Sequence, residues 1–468
     1  MENVNGGSGL EKTLMSQKEA LAQLPQDFLT RMQEQLGDSY EAFLAEYQKE
    51  RTYGLRCNPL KTDREKLQAA LLKEQLVLEK IPWAWEGFYY PPDAHPGKLP
   101  LHEAGGYYIQ EPSAMIAVQL LDPKPGEKIL DLCAAPGGKS TQIAGRMQGS
   151  GLLVSNEIIS QRARTLSRNI ERLGVRNAVV CNETPQRLAE RFPVFFDRII
   201  VDAPCSGEGM FRKDPQACAE WSLQQVEHCA ARQRSILSCA AAMLKAGGVL
   251  VYSTCTFAPQ ENEQNAAWLV QEFPELTLEK SEQIWPHLQR GEGHYAAKFI
   301  KAGTAVQDGF FSALKAGTGK KQNQKNSQPY LEQLEDFCVQ TLSKEMQTWI
   351  FEQISEGKLT VFGEHLYLLP SGTGSLDGLK IERAGLCLGC CKKNRFEPSH
   401  ALAMALRPQE AKQTLELEEP ERFLRGESVC CGRQKGWTLV TAEGCSLGWG
   451  KAAQGVLKNH YPKGLRRS

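Results

Sequence analysis

Short apolar runs alternate with longer amphipathic stretches through the middle of the chain, and the runs end at polar or acidic residues. Apolar runs of this length are typical of buried strands, and the stretches between them have the periodicity of helices. The alternation predicts an α/β fold with a mostly parallel, doubly wound sheet and helices on both faces. The predicted strands occupy residues 129–132, 151–157, 177–180, 198–202 and 248–252.

The regions on either side follow other patterns. Two helical patterns, a strand at 53–57 and an aromatic cluster at 83–90 predict a small α+β domain near the N-terminus. The aromatic cluster can form the core of that domain or a nucleic-acid contact surface, and we favour the core. After a helical stretch at 331–354, short glycine-rich strands predict a mostly β C-terminal region. The predicted divisions are a flexible segment (1–10), the α+β domain (11–100), the sheet domain (101–303), a polar linker (304–330) and two C-terminal lobes (331–395 and 396–468).

Composition narrows the class of protein. The chain has 468 residues, of which 41% are hydrophobic and 24% charged, as in ordinary globular proteins. No apolar run approaches the ~20 residues needed to cross a bilayer, and the first residues do not resemble a secretory signal. The 15 cysteines, an odd number scattered through predicted strands and helices, indicate reduced thiols and a cytoplasmic location.

The charge of the chain is balanced. Because the formal net charge is +0, any nucleic-acid surface must be a local basic patch. The segment 451–468 carries five Lys and Arg residues and no acid, which makes it one candidate. If this segment binds nucleic acid, deleting the chain from about residue 414 should weaken that binding and leave small-molecule binding intact.

A glycine turn organises the predicted sheet domain. The first strand is followed by Pro136, Gly137 and Gly138, and an amphipathic helix begins at Lys139. Glycines let the backbone approach a ligand, and the N–H groups of the helix terminus face a carboxylate or phosphate. The turn therefore predicts a small-molecule cradle at the carboxyl edge of the sheet.

An acid and two cysteines follow later strands at the same edge. Asp202 and Cys205 come after the fourth strand, and Cys255 comes after the fifth. A lone cysteine in a reduced protein is usually a small buried hydrophobe, but two at neighbouring strand ends beside a cradle indicate chemistry. A thiolate that adds to C6 of a cytosine makes C5 nucleophilic, an acid at N3 neutralises the developing charge, and a second cysteine can help the C5 proton to leave. Such a thiol needs a depressed pKa, which aligned N–H groups of a loop can provide.

The same residues resemble a known family. The motifs Asp-Leu-Cys-Ala-Ala-Pro-Gly-Gly-Lys-Ser (131–140), Asp-Ala-Pro-Cys-Ser-Gly (202–207) and Ser-Thr-Cys-Thr-Phe (253–257) are similar to those of the Sun/Fmu RNA cytosine-5 methyltransferases. Further matches at 107–115, 207–215 and 293–295 resemble its RsmF-type branch, which acts on small-subunit ribosomal RNA. Residues 447–451 and 461–464 resemble the PUA-like RNA-binding module of that branch.

The resemblance implies a Rossmann-like methyltransferase sheet and a role for each motif residue. Cys255 would be the nucleophile, Cys205 would assist product release, and Asp202 would hydrogen-bond the cytosine. Glu157 would accept the ribose hydroxyls of the cofactor, S-adenosylmethionine. Where the family often has an aspartate near the adenine, this chain has three candidates and the choice stays open. The implied cofactor-binding residues are Cys133, Ala134, Ala135, Pro136, Gly137, Gly138, Lys139, Glu157, Asn182, Glu183, Thr184 and Asp202, and the implied partner of the monomer is ribosomal RNA or the small ribosomal subunit.

Other interpretations are less favoured. The Cys387, Cys390 and Cys391 cluster and the Cys430–Cys431 pair lack the spacing of a zinc ribbon, so we expect no metal. His294 and His400 are interpreted as structural residues rather than metal ligands. A dinucleotide-dependent dehydrogenase is disfavoured because no G-x-G-x-x-G follows the first strand. A DNA-type methyltransferase would use Cys205 as its nucleophile, and a non-catalytic RNA-binding protein would have no use for the two cysteines and the acid.

Overall fold

The computed structural model describes residues 23–303 and 328–467, apart from Gly363, Asn394 and Arg433. The expected flexible segment 1–10 lies outside the described residues, as does the expected linker 304–330 up to residue 327.

The N-terminal unit is a four-stranded antiparallel sheet with helices beside it, in the strand order β2-β3-β1-β4. Phe88 and Tyr89 are buried, as the core interpretation predicted, whereas Trp85 is half exposed. The predicted boundary at 100/101 is wrong, because β4 pairs with β1 and so belongs to this sheet. The elements are α1 (Gln26–Leu36), α2 (Tyr40–Glu46), β1 (Gly54–Cys57), α3 (Arg64–Lys73), β2 (Glu79–Lys80), β3 (Gly87–Tyr89), α4 (Pro100–Glu103) and β4 (Tyr107–Ile109).

The central unit is the predicted α/β sheet. Its parallel strands stand in the order β9-β8-β5-β6-β7, and apolar side chains are buried on both faces. The antiparallel strands β11 and β10 extend the sheet beyond β9. The elements are α5 (Ile116–Leu121), β5 (Lys128–Asp131), α6 (Gly138–Met147), β6 (Leu152–Asn156), α7 (Ser160–Arg172), β7 (Ala178–Cys181), α8 (Pro185–Arg191), β8 (Phe196–Asp202), α9 (Pro215–Glu220), α10 (Leu223–Met243), β9 (Leu244–Thr254), α11 (Glu263–Glu272), β10 (Leu276–Ile284) and β11 (His294–Lys301).

The C-terminal region contains two further sheets. The first has the order β12-β13-β15-β16 and the second the order β17-β19-β20-β21-β18. The helical stretch predicted at 331–354 is two helices, because Ser343 interrupts it and accepts a hydrogen bond from the Met346 N–H as an N-cap. The elements are α12 (Gln328–Thr341), α13 (Lys344–Ser355), β12 (Leu359–Phe362), β13 (His365–Leu368), β14 (Ile381–Ala384), β15 (Leu386–Lys392), β16 (Arg395–Pro398), α14 (His400–Ala405), β17 (Thr414–Glu416), α15 (Pro420–Leu424), β18 (Val429–Cys430), β19 (Gly436–Ala442), β20 (Cys445–Ala453) and β21 (Val456–Asn459).

The predicted division of this region into lobes at 395/396 is wrong in two respects. That point falls within the β15–β16 hairpin, so the two sheets divide after α14. In addition, β14 leaves the first lobe and pairs antiparallel with β7 as the outer strand of the central sheet. Arg383 on β14 also donates to Glu171 on α7 over 3.0 Å, which ties the strand to the central unit.

The units share apolar cores. Leu55 and Phe88 of the first sheet pack in one cluster with Phe423 and Leu457 of the last unit. Phe28, Met32 and Phe43 of α1 and α2 pack against the loops that follow β8 and β9. Within the described residues, no helix is long and apolar enough to cross a membrane.

Candidate active site at the carboxyl edge of the sheet

The glycine turn lies between β5 and α6, as the sequence predicted. The Ala134 N–H donates to the Asn156 carbonyl over 2.8 Å, which ties the start of the turn to the end of β6. Gly137 has φ +113°, a left-handed conformation that favours glycine. A Cβ atom at Gly137 would lie 3.1 Å from Leu166 Cδ1 on α7, so this glycine allows α7 to pack beneath the turn.

A buried arginine from the first sheet supports the turn. Arg56 on β1 donates to the Gly138 carbonyl over 3.2 Å and to Thr141 Oγ1 over 2.8 Å. Its Nε donates to Gln110 Oε1 over 3.0 Å, and burial lowers the pKa of the guanidinium to about 10. Sequence reasoning missed Arg56, because it precedes the turn by more than 80 residues and belongs to no motif.

Acidic side chains at the ends of β5 and β6 suit a cationic nucleoside. Asp131 is buried, Ser140 donates to its Oδ2 over 2.7 Å, and its Oδ1 has no partner among the described residues. Burial raises the pKa of this carboxyl to about 7. Glu157 is buried beside the turn and accepts the Ile159 N–H over 2.9 Å. The unpartnered acceptor of Asp131 fits the ammonium group of S-adenosylmethionine, and the Glu157 carboxylate fits its ribose hydroxyls. The N–H groups of the glycine turn fit its carboxylate.

The three adenine-side candidates occupy different environments. Asn182 Nδ2 donates to the Glu157 and Ile158 carbonyls over 2.7 and 2.9 Å. Glu183 Oε1 accepts the Lys380 N–H over 2.7 Å, and Thr184 Oγ1 caps α8 by accepting the Arg187 N–H. Asn182 is therefore the candidate whose side chain contacts the segment around Glu157, whereas Glu183 contacts Asn156 through its backbone.

Asp202 and Lys139 form an ion pair in the site. Lys139 Nζ lies 2.8 Å from Asp202 Oδ2, and Ser253 donates to Asp202 Oδ1 over 2.9 Å. Lys139 is almost fully buried, whereas the Asp202 side chain is 33% exposed. Burial pushes the pKa of Asp202 upward, but the Lys139 ammonium, His294 and the Ser253 hydrogen bond outweigh it and hold that pKa below its usual value. Asp202 is thus an ionised acceptor at neutral pH.

The side chains of the two predicted cysteines are in contact. Cys205 Sγ and Cys255 Sγ are 3.2 Å apart, and both residues are partly exposed. The hydrogen bond to Cys255 and then burial raise the pKa of the Cys205 thiol well above its usual value. Cys205 therefore keeps its proton at neutral pH and can donate it to Cys255 Sγ.

A buried carboxyl holds the loop that carries Cys205. Glu261 accepts the Ser206 N–H over 3.0 Å and Gln233 Nε2 over 2.7 Å, and Gln233 also donates to the Pro204 carbonyl. Burial raises the pKa of Glu261 to about 7. Neither residue was predicted as part of the site, although Glu261 follows the Cys255 motif closely enough to have been considered.

A second buried carboxylate joins the site to the N-terminal helix α1. Glu208 accepts the Phe257 N–H over 3.0 Å and Trp221 Nε1 over 2.9 Å, and Arg31 Nη2 lies 2.6 Å from Glu208 Oε2. We call Arg31, Glu208, Trp221 and the Phe257 backbone the α1 latch. It connects α1 to the segments that follow both cysteines.

The other candidate residues lie away from this edge. Cys387, Cys390 and Cys391 are on β15, Cys430 is on β18, and Cys431 follows that strand. In the described part of the chain, no group of three or more His, Cys, Asp or Glu side chains could hold a metal ion. In the basic segment, Lys451, Lys458 and Lys463 are exposed.

Family comparisons cover nearly all of the described chain. The family model described as 16S rRNA methyltransferase RsmB/F matches residues 118–315. The model described as the N-terminal domain of 16S rRNA methyltransferase RsmF matches residues 24–112. The first C-terminal domain of the RsmF rRNA methyltransferase matches 337–406, and the RsmF PUA domain matches 411–467.

Curated relatives agree with these matches. The ribosomal RNA small subunit methyltransferase F of Vibrio campbellii is 32% identical over 95% of this chain and 98% of its own length. The protein of the same name from Escherichia coli O157:H7 is 31% identical over 95% of this chain and 96% of its own.

Solved structures show the same fold in the methyltransferase part. A methyltransferase homolog from Pyrococcus horikoshii is 28% identical with a TM-score of 0.55, and it matches 61% of this chain and 99% of its own. The NSun6 protein from Pyrococcus horikoshii, solved with SFG, has the same fold at 24% identity and a TM-score of 0.54, over 60% of this chain and 99% of its own. With relatives above 30% identity aligned along nearly its whole length, the chain belongs to the RsmF family of 16S rRNA methyltransferases, which use S-adenosylmethionine as methyl donor.

Proposed function

We propose that this protein methylates C5 of cytosine in small-subunit ribosomal RNA through a covalent bond between Cys255 Sγ and C6 of the base. The observation that carries the proposal is the 3.2 Å contact between Cys205 and Cys255 at the edge where the Lys139–Asp202 pair also lies. A nucleophile, a thiol beside it, a proton donor and a carboxylate are the groups that the reaction requires.

The Lys139–Asp202 pair suits cytosine in particular. Cytosine offers an acceptor at N3 and a donor at its exocyclic amino group, and Lys139 can donate while the ionised Asp202 can accept. Uracil has a donor at N3 and an acceptor at its O4 carbonyl. Lys139 would therefore face another donor and Asp202 another acceptor, and neither could form a hydrogen bond. The pair is therefore the proposed basis of base selection.

The two cysteines have different proposed roles in the reaction. The thiolate form of Cys255 bonds through Sγ to C6 while Lys139 gives a proton to N3, so that the ring becomes a neutral enamine that is nucleophilic at C5. S-adenosylmethionine supplies the electrophilic methyl group. The C5 proton then passes to Cys205 Sγ while the thiol proton of Cys205 passes to the departing Cys255 Sγ, so that the C6–Sγ bond breaks. The N3 proton returns to Lys139, and the 3.2 Å contact between the two sulfur atoms suits this proton exchange. The raised pKa of Cys205 supports this division, because it leaves Cys255 as the acceptor of the pair.

The cofactor would occupy the predicted turn. Residues 133–139 would hold its methionine part, Glu157 its ribose hydroxyls, and Asn182 its adenine, since Asn182 contacts the backbone of Glu157 and Ile158. The proposed partner is ribosomal RNA or the small ribosomal subunit, which the PUA domain would contact. The proposal includes a cytoplasmic location and a monomeric state.

Two alanine variants test the proposal. Cys255→Ala lacks the nucleophile, so we expect no bond to RNA and no methyl transfer. Cys205→Ala can attack and methylate but releases product poorly, so we expect a covalent protein–RNA complex that survives denaturing electrophoresis. Denaturing gels and mass spectrometry of the RNA measure both outcomes.

Matched controls make the result specific. Cys239→Ala removes a partly buried thiol of α10 outside the site and should behave as wild type. The Cys205→Ala, Cys255→Ala double variant should form no adduct. If Cys205→Ala were inert and adduct-free while Cys255→Ala kept its activity, the roles would be those of a DNA-type enzyme and the proposal would be wrong.

A further inference from the structure

His294 is a buried histidine whose surroundings do not fit a purely structural role. It is the first residue of β11 and is 2% exposed. Its Nε2 atom has no hydrogen-bond partner among the described residues and lies 3.7 Å from Asp202 Oδ1. Leaving a buried ring nitrogen unpaired costs free energy, so its orientation toward a site carboxylate calls for a reason.

The backbone holds His294 firmly in this place. Tyr295 pairs with Thr254 across the β11–β9 ladder, which puts His294 at the level of the strand end that carries Cys255. The preceding Gly293 has φ +120°, and a Cβ there would overlap the Phe257 ring at 2.3 Å. The close approach to Phe257 fixes the backbone at His294 beside the strand end, and the imidazole itself is buried there.

The protonation state follows from the neighbours. Burial and the Lys139 ammonium lower the pKa of His294 to about 3, against the opposing effect of Asp202, so the imidazole is neutral at physiological pH. A neutral imidazole carries one N–H, and a carboxylate beside Nε2 favours the tautomer with its proton there. Among the described residues, the titratable groups that interact electrostatically with Asp202 include Lys139, His294, Asp131 and Cys133.

We propose that His294 is a positioning residue for the methyl transfer: when the target cytosine binds, the present 3.7 Å separation closes, and the Nε2–H donates to Asp202 Oδ1 and orients that carboxylate to accept a hydrogen bond from the base. Lys139 holds the other oxygen, Oδ2, and Ser253 donates to Oδ1 from the side of β9. With three donors around it, Asp202 keeps one orientation and stays ionised. The inference rests on the proposed function, because it assigns His294 to the same base-binding step.

The pH profile of steady-state methyl transfer tests this role. In His294→Phe, Asp202 loses one donor, so we expect kcat to fall about tenfold, as for a hydrogen bond to a charged group. The acid limb should move up by about one pH unit, because the carboxylate form is less stabilised. The KM for S-adenosylmethionine should not change. His294→Gln keeps an N–H of similar reach and should recover part of kcat and most of the profile.

A control separates the effect from general damage. His287→Phe makes the same change at a ring that packs against Phe43 and Trp285, and its acid limb should match wild type. A wild-type profile in folded His294→Phe, or a loss of kcat that leaves the acid limb in place and is not rescued by glutamine, would overturn the inference. Absence of 5-methylcytosine from the wild-type reaction would instead refute the proposed function.

A spectroscopic measurement on the unsubstituted protein completes the test. With ¹⁵N-labelled histidine, His294 should show a protonated Nε2 and an unprotonated Nδ1 at neutral pH, and the Nε2 signal should move in Asp202→Asn. The opposite tautomer, or an imidazolium, would contradict the proposed donation. This readout does not depend on whether a His294 variant folds.

Discussion

At the scale of single residues, the structure changes the reason for the glycine turn. Glycine at 137 was expected to let the backbone approach the ligand. The structure shows that a side chain at Gly137 would point instead at Leu166 and Asn169 of α7. The left-handed backbone at this position is itself strained by roughly 1–2 kcal/mol for a residue with a Cβ. We therefore propose that any effect of Gly137 on cofactor binding comes through the packing of the turn against α7.

Gly137→Val is expected to lower the affinity for S-adenosylmethionine by at least about tenfold, because crowding with Leu166 would displace the turn. Calorimetry with the purified variant measures the affinity. Gly126→Val is the matched control, since Gly126 also has a positive φ of +88° but has nothing within 4 Å of an added Cβ. Unchanged affinity in a folded Gly137→Val protein would contradict this account of the turn.

At the scale of elements, the site depends on contacts that reach it from the N-terminal unit. The α1 latch connects Arg31 through Glu208 to the Phe257 backbone. Gln35 of the same helix donates to the Phe257 carbonyl over 3.2 Å. The stacked rings of Phe257 and Trp285, 5.0 Å apart, pack against Phe43 of α2. The first helices are therefore a structural part of the candidate active site.

Arg31→Ala is expected to lower the free energy of unfolding by about 3 kcal/mol, because it leaves the buried Glu208 carboxylate without its counter-ion. It should also lower kcat, since Glu208 holds the segment directly after Cys255. Thermal unfolding and methyl-transfer assays measure the two effects. Lys73→Ala breaks an exposed pair with Glu443 and should change neither quantity appreciably. An Arg31→Ala protein as stable and active as wild type would show that the latch is dispensable.

At the scale of the whole molecule, the last unit packs directly against the N-terminal unit. Phe423, Val440, Leu447 and Leu457 share a core with the first sheet. Arg467 donates to the Lys98 carbonyl over 2.6 Å and to Glu103 over 3.1 Å, so part of the basic segment binds the N-terminal unit. The deletion from residue 414 that the sequence suggested would uncover this apolar surface. We therefore expect that truncation to destabilise the protein, which makes it a poor test of RNA binding.

The exposed lysines of the last unit give a cleaner test. A variant with Lys451, Lys458 and Lys463 all changed to Ala should bind RNA more weakly and with a shallower salt dependence, because fewer phosphate contacts release counter-ions. Binding titrations at several salt concentrations measure this, and cofactor affinity should stay unchanged. The control changes Lys66, Lys124 and Lys280, each of which pairs with a nearby carboxylate. Equal RNA affinity in the two triple variants would place the RNA surface elsewhere.

The sequence by itself determined the central fold and the positions of the chemical groups. Strand and helix periods are local properties, so β5 to β9 were predicted to within a few residues, apart from the N-terminal extension of β9. Parallel strands bring their carboxyl ends to one edge, and this is why the turn, Asp202, Cys205 and Cys255 could be grouped from the order of strands along the chain. The burial of Phe88 and Tyr89 was predicted from the sequence, whereas the exposure of Trp85 was not.

Only the tertiary structure decided which distant segments complete that edge. No local pattern indicates that β14 pairs with β7, that Arg56 binds the turn, that Arg31 pairs with Glu208, or that His294 faces Asp202. These contacts join residues that are far apart in the chain, and their formation depends on how whole units pack together. The physical reason is that a short stretch of sequence specifies its own backbone period and exposure, whereas a buried polar partner is specified by every segment that surrounds it.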